Sequence, residues 1–241
     1  MLKIENVETY GWEAAIRGMR NPKNSWDKSD SAYCEDMDCN KCPFFKDYAK
    51  VSFDGNTVSC SKISGFCIGE NDMKLMRTLA AAGQDHGKFL RMITVTLDIT
   101  APLYWWKEAD TYSVGVVKNS CSTMHKIHAK EFTLDDFSHE HLIDFIDEDG
   151  VNYCWYSQLD YLIGHLNDAR EKFLETKDKR FWWQLIQLLP SSYNQRRTVQ
   201  LNYAVLKNIY HARKDHKLDE WHTLCDWIES LPYSELITGR H

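Results

Sequence analysis

The 241-residue chain contains no run approaching the roughly 20 apolar residues that a membrane-spanning helix requires. Its opening residues, MLKIENVETY, lack the basic-then-apolar build of a secretion signal. The sequence therefore reads as a soluble, cytoplasmic protein with no membrane partner. It also lacks a long basic run: 29 Lys and Arg are interspersed with 35 Asp and Glu, giving a net charge of −6. Counterion release on a nucleic acid polymer needs a clustered positive face, so such a polymer is not an expected partner. Internal repeats and low-complexity linkers are missing too. This length without a linker suits one domain over 1–241 with a substantial core.

Aromatic residues are plentiful, with 9 Trp, 12 Tyr and 10 Phe. They suit a well-filled core and equally a site that stacks planar ligands. The chain has 8 cysteines, which in a cytoplasmic protein are thiols or metal ligands rather than disulfides. Five of them, Cys34, Cys39, Cys42, Cys60 and Cys67, fall in a polar, glycine-containing insertion over 24–70. The Cys39–Cys42 pair has the C-x2-C spacing of a structural zinc site, where thiolates enclose the ion. An iron–sulfur cluster and uncommitted thiols are the alternatives. Cys154 and Cys225 sit in helical patterns as core residues. His125 and His128 lie in HKIH, which is either a metal or phosphate ligand pair or a solvated helix face.

The element pattern is α+β and helix-rich, with a small antiparallel sheet. GWEAAIRGMR reads as a short helix stopped before Asn21-Pro22, because the residue before proline is pushed out of the helical region. KVSFDGNTVSC reads as a hairpin turning at Asp54-Gly55. ENDMKLMRTLAAAG is a helix closed by Gly83. MITVTLDITA alternates strictly, with Ile93, Val95, Leu97 and Ile99 on one face, and is the strongest strand signal. Pro102 opens a helix, and Thr133 caps a helix start at TLDDFS. SQLDYLIGHLNDAREKFLE is a long amphipathic helix, RFWWQLIQLL a second ended by Pro190, and DEWHTLCDWIESL a last one before Pro232.

A further helix is expected from about Asn194 to Arg213. On it Asn202, Leu206, Ile209 and Arg213 share one stripe, and Leu201, Val205, Asn208 and Ala212 the next. Polar groups on an apolar stripe point toward protein, so Asn202, Asn208 and Arg213 are either satisfied core groups or face a polar ligand. Arg196 and Arg197 would then lie near the helix start, where the dipole disfavours cations. An anion such as a phosphate, docked between guanidinium and helix N–H groups, would account for them, with chance placement on the surface as the alternative.

The stretch ITAPLYWWKEADTYSVGVVKNSCSTMHK joins strand, Trp-rich helix and small polar residues. Trp105, Trp106 and Tyr112 can stack a planar ring, or the Trp pair can be core. Ser120, Cys121 and Ser122 can donate to ligand oxygens, and Cys121 is a conceivable nucleophile.

Three blocks resemble the flavin-dependent thymidylate synthases: AAIRGMRNP, VTLDITAPLYWWKE and LLPSSYNQRRTVQLNYAVLKNIYHARKDHKLDEW. The resemblance covers about half the chain, and the Cys-rich insertion has no counterpart in it. It implies a homotetramer with active sites at subunit interfaces, binding FAD and dUMP, with a methylene passing from a folate to uracil C5. By position, it implies that Arg196 grips the nucleotide phosphate region, Asn202 and Asn208 hold flavin, and Arg213 polarises the pyrimidine carbonyls. Tyr112 and Lys118 join the implied cofactor-binding set; Ser120, Cys121 and Ser122 join the substrate-binding set.

The family signature runs Arg-His-Arg, two residues, Ser, one residue, Asn-Glu, one residue, Ser, one residue, Arg-Tyr. Here Thr111, Tyr112 and Ser113 replace Arg-His-Arg. Val116 replaces the first Ser, and Lys118-Asn119 replace Asn-Glu. Cys121, Thr123 and Met124 replace Ser, Arg and Tyr. A hydroxyl does not substitute for a bidentate guanidinium, although Lys107, Lys118 and Lys126 compensate in part. The expectation is a divergent member acting on or binding a pyrimidine nucleotide. The alternatives are a nucleotide-binding or regulatory homologue without FAD, and an interaction protein built around a metal lobe.

Overall fold

The computed structural model describes residues 2–33, 49–51, 58–60 and 66–239, with 49–51 and 58–60 given by backbone alone. The strands are β1 (Lys3–Tyr10), β2 (Ala32–Tyr33), β3 (Ala49–Val51), β4 (Val58–Cys60), β5 (Phe66–Cys67), β6 (Thr94–Pro102), β7 (Val117–Ser120), β8 (Asp144–Ile146), β9 (Asn152–Cys154) and β10 (Asn194–Asn202). The helices are α1 (Trp12–Arg20), α2 (Glu70–Ala81), α3 (Leu103–Ala109), α4 (Trp155–Thr176), α5 (Lys179–Leu188), α6 (Tyr203–Arg213), α7 (Asp219–Glu229) and α8 (Glu235–Thr238). Four strands form one sheet in the order β1-β6-β10-β7, and β2-β5, β3-β4 and β8-β9 form two-stranded antiparallel ribbons. The class is α+β and helix-rich, as the sequence pattern indicates.

Backbone contacts divide the chain into two compact units. The first comprises Met1–Asn6, Leu97–Ser113 and Val117–Val199. Its core is built on α4, whose Leu159, Ile163, Leu166 and Ala169 form one buried stripe against Leu185 of α5, Phe132 and Phe137. Each such aliphatic or aromatic side chain, once buried, stabilises the unit by about 1.5–3 kcal/mol. Lys177 closes α4 in the left-handed region at φ 56°, and Asp178 caps α5 by accepting from Arg180 N–H at 2.9 Å. In the same unit Trp105 and Trp106 of α3 are buried edge to face, 4.8 Å between centroids. Trp106 Nε1 donates to the Gln195 carbonyl at 2.9 Å. The core reading of that Trp pair is therefore the one the structure adopts.

The second unit comprises Val7–Thr96, Val114–Val116 and Gln200–His241. Tyr203, Leu206, Ile209 and Tyr210 of α6 are buried with Trp221, Leu224 and Ile228 of α7 and Leu236 and Ile237 of α8. Trp12 meets Tyr203 and Tyr233 edge to face, each 5.2 Å away. Gly11 precedes α1 at φ 91°, and a Cβ there would lie 2.0 Å from the Met92 carbonyl oxygen, so only glycine fits. Arg20 at the end of α1 pairs with Asp72 of α2, Nε to Oδ1 at 2.6 Å, both buried.

Several sequence expectations change. Residues 194–213 are not one helix: 194–202 form β10, and α6 begins at Tyr203. In NQRRTVQLN burial alternates with period two: Gln195, Val199 and Leu201 are buried, while Arg196, Thr198 and Gln200 are exposed. That is a strand period, and β10 pairs between β6 and β7. Asn202 is therefore a helix cap rather than a member of a helical stripe. Arg196 and Arg197 stand on opposite faces of a strand and not at a helix N-terminus. His125 and His128 lie in turns rather than on a helix. TLDDFS forms a single 3-10 turn, Leu134–Asp136, with Thr133 and Asp136 in a capping box. Cys225 is buried in α7, whereas Cys154 is half-buried at the end of β9. The β3-β4 register pairs Val51 with Val58, and the turn at Asp54-Gly55 lies outside the described residues.

Candidate functional site

The site begins where β10 becomes α6. Asn202 has extended backbone angles, and its Oδ1 accepts from Val205 N–H at 3.1 Å, capping the first turn of α6. From that start Ala204, Val205, Lys207, Asn208, His211 and Ala212 present one wall of a cleft of about 780 Å³. The remaining walls are Ala80, Gly83 and Gln84 at the end of α2, Gly87, Leu90 and Arg91 of a 3-10 turn, and the loop residues Val114 and Gly115. All of these belong to the second unit. Gly115 has φ 74°, and a Cβ there would reach within 3.2 Å of Asn202 Nδ2, so the loop packs closely on the capping amide.

The cleft is basic. Arg91, Lys207 and His211 line it, and among the described residues no carboxylate does. Lys207 Nζ donates to the Ala80 carbonyl at 2.6 Å, near the C-terminal end of α2 where a cation is favoured. Burial pushes the Lys207 pKa below the usual lysine value.

Of the sequence-derived candidates, Asn202 and Asn208 come together in this cleft. Arg213 is on the same helix, with its guanidinium carbon 4.8 Å from the centre of the buried Trp221 ring. The remaining described candidates for nucleotide and flavin, Arg196, Tyr112, Lys118, Ser120, Cys121 and Ser122, lie in the first unit. Arg196 is exposed on β10 and bonds Asp98 at 2.7 Å. Asp98 also accepts from Thr198 Oγ1 at 2.6 Å and Asn6 Nδ2 at 2.8 Å. The Thr198 hydroxyl first, then the Arg196 guanidinium, hold its carboxyl well below the usual range.

The neighbouring Arg197 stacks 4.1 Å over Trp106, donates to Gln195 Oε1 at 3.0 Å, and grips Asp110 through two contacts of 2.8 and 3.2 Å. Lys118 Nζ contacts the Ala109 carbonyl at 2.8 Å, Asp110 Oδ1 at 3.0 Å and the Tyr112 carbonyl at 3.3 Å. Burial would raise the Asp110 pKa, but hydrogen bonds from Lys118 and Arg197 outweigh it and lower the value. Ser120 and Cys121 are exposed at the end of β7. Cys121 N–H donates to the Arg196 carbonyl at 3.0 Å, and Ser122 Oγ accepts from His125 N–H at 3.0 Å.

The metal-ligand set cannot be assembled here: Cys34, Cys39 and Cys42 lie outside the described residues, and Cys60 is given by backbone alone. Cys67 is buried on β5, facing Ala32 of β2 in register. Among the described residues there is no cluster of three or more His, Cys, Asp or Glu side chains able to hold a metal.

Sequence reasoning missed Arg91, Lys207, His211 and Gly115. Lys207 and His211 carried a signal, since i, i+4 spacing places them on one helix face beside Asn208. Arg91 and Gly115 carried none.

No family sequence model and no curated protein sequence matches the chain. Its backbone does match solved structures. A Helicobacter pylori flavin-dependent thymidylate synthase complexed with FAD and dUMP superposes with a TM-score of 0.62 at 15% identity, covering 98% of both chains. The chain has the fold of the flavin-dependent thymidylate synthases. A UMP/dUMP methylase, PolB from Streptomyces cacaoi, bound with 5-Br dUMP, shares that fold at a TM-score of 0.56 and 13% identity, over 99% of this chain and 95% of that one. The same methylase bound with 5-Br UMP gives 0.57 and 14%. Among the described residues no helix is long and apolar enough to cross a membrane.

Proposed function

We propose that this chain binds a pyrimidine nucleotide such as dUMP together with FAD, and transfers a methylene or methyl unit to the base. The observation that carries the reading is the α6 cleft, which holds both asparagines assigned to flavin by resemblance and, among the described residues, presents no carboxylate. Solved structures with this fold hold FAD, dUMP or a brominated pyrimidine nucleotide. Such ligands are planar and anionic. The cleft offers amides and apolar wall for the ring and cations for the charge, and its volume of about 780 Å³ suits a small molecule.

A flavin bound there would, in its reduced form, supply the hydride that reduces the transferred methylene carbon and be left as oxidised FAD. Asn202 Oδ1 is engaged by Val205 N–H, which leaves its amide N–H groups as ring-edge donors. Asn208 is exposed on the same wall. Arg213, stacked on Trp221, would polarise the pyrimidine carbonyls; negative charge must build on the ring as C5 attacks, and a preorganised cation stabilises it. The reading extends to one domain over 1–241 with a Cys-rich insertion at 24–70, assembled as a homo-oligomer.

One observation favours a second reading, a nucleotide-binding homologue without FAD. Lys118 and Arg197, the cations nearest the altered signature stretch, are already engaged by Asp110. Titration separates the two. FAD fluorescence should be quenched saturably on addition of the protein, and dUMP should release heat on mixing by calorimetry. Heat from dUMP with no change in FAD fluorescence supports the second reading. No response to either ligand removes both.

A further inference from the structure

The basic side chains of the α6 cleft exceed what the fold itself uses. Lys207 has a structural role, since its ammonium contacts the Ala80 carbonyl near the C-terminal end of α2. That contact takes one of three N–H donors. It does not account for His211, one turn further along the same helix face, or for Arg91, which is exposed and lines the same cleft. A chain of net charge −6 has here a cavity with three basic side chains and no acidic one among the described residues. Like charges brought together without a counter-charge repel, and a bound anion relieves that repulsion while gaining charge-assisted hydrogen bonds.

The altered signature stretch sharpens the point. In its vicinity Lys118 and Arg197 are consumed by Asp110, and Arg196 by Asp98. In the cleft, by contrast, Arg91 and Lys207 have no carboxylate beside them among the described lining residues.

We infer that Arg91, Lys207 and His211 form a phosphate-binding subsite, which grips the phosphate or pyrophosphate of the cleft's ligand. That the ligand's remaining part is a nucleotide or flavin rests on the preceding proposal; the anion subsite stands on the cleft alone. Guanidinium and ammonium together suit the several oxygens of a phosphate, Arg91 as a fork and Lys207 as a point charge.

Calorimetry on the full chain at low salt tests this with sodium pyrophosphate, FAD and riboflavin, which lacks phosphate. Pyrophosphate should bind the wild type, and Arg91→Ala, His211→Gln and Lys207→Met should each weaken it by about tenfold or more. FAD should bind more tightly than riboflavin, and the variants should erase that preference while leaving riboflavin unchanged. Lys207→Met also removes the contact to α2, so Arg91→Ala, at an exposed position, carries the decision if that variant fails to fold. Pyrophosphate binding without FAD or dUMP binding would keep the subsite and discard the nucleotide reading. FAD binding equally well to wild type and Arg91→Ala, with riboflavin as tight as FAD, would overturn the subsite and keep the flavin.

Discussion

Asp72→Ala should be among the most destabilising single substitutions in the second unit. Asp72 is 0% exposed, and its carboxylate accepts five hydrogen bonds. Arg20 Nε donates at 2.6 Å, Ser29 Oγ at 2.7 Å, Ser31 Oγ at 2.6 Å, and the N–H groups of Asp30 and Ser31 at 3.1 and 3.2 Å. Arg20 is 4% exposed and also donates to the Ser25 and Lys28 carbonyls at 3.1 and 3.0 Å. One carboxylate thus ties α1 and α2 to the 25–31 segment. Breaking a buried ion pair from one side costs about 3–5 kcal/mol, because the remaining charge is left uncompensated. At roughly 2–4 °C per kcal/mol for a chain of this size, the melting temperature should fall by about 6–20 °C in a circular dichroism or calorimetric melt.

The double variant Arg20→Ala/Asp72→Ala should not recover, since Ser29, Ser31 and the Asp30 N–H still lose their acceptor. Acid adds an independent check. Burial would raise the Asp72 pKa, but the hydroxyls of Ser31 and Ser29 and the Arg20 guanidinium together lower it. A depressed folded pKa contributes stability above the unfolded carboxylate value of about 4, lost as pH falls below it. Wild type should therefore lose stability on acidification below about pH 4 more steeply than Asp72→Asn. A melting temperature for Asp72→Ala within 2 °C of wild type, on the order of measurement scatter for half a kcal/mol, would refute the reasoning.

Three further outcomes are expected. Gly115→Ala, strained at φ 74° and pressing on Asn202 Nδ2, should lower the melting temperature by a few degrees, for about 1–2 kcal/mol, and weaken ligand binding in the cleft by calorimetry. Arg213→Ala should abolish dUMP binding with little change in melting temperature, and Arg213→Lys should not restore it because an ammonium does not reproduce the planar stacked fork; equal loss of stability and binding would assign Arg213 to the core instead. With a thiol reagent at pH 8, exposed Cys121 should react promptly, whereas Cys225, buried and pushed up to about 11 by burial and the carboxylates of Asp226, Glu229 and Asp215, should react only on unfolding, as mass spectrometry of the labelled peptides can check.

Much of the architecture was legible because its signal is local. The alternation of β6 and the Leu159, Ile163, Leu166 stripe of α4 are periods of two and 3.6 within a single segment. The C-terminal helix α7 and the breaks at Pro22 and Pro190 follow from the same kind of local chemistry, whereas α8 carried no expectation. β10 was not legible. Its inward positions include Gln195 and Arg197, which spoil the hydrophobic alternation. They are satisfied by Cys121, Trp106 and Asp110, residues distant in sequence. The capping role of Asn202 was hidden for the same reason, since it depends on where the strand ends.

The sequence by itself determined the element types with clear periodicity and the lack of any long apolar run. Tertiary structure decided which cations are free of carboxylate partners. Arg196, Arg197 and Lys118 look like anion ligands in the chain, yet each is paired with a carboxylate, Asp98 or the shared Asp110. Arg91 looks unremarkable in the chain, yet it shares a cleft with Lys207 and His211. Electrostatic pairing depends on distances of a few ångströms between segments far apart in sequence, and no local pattern encodes those.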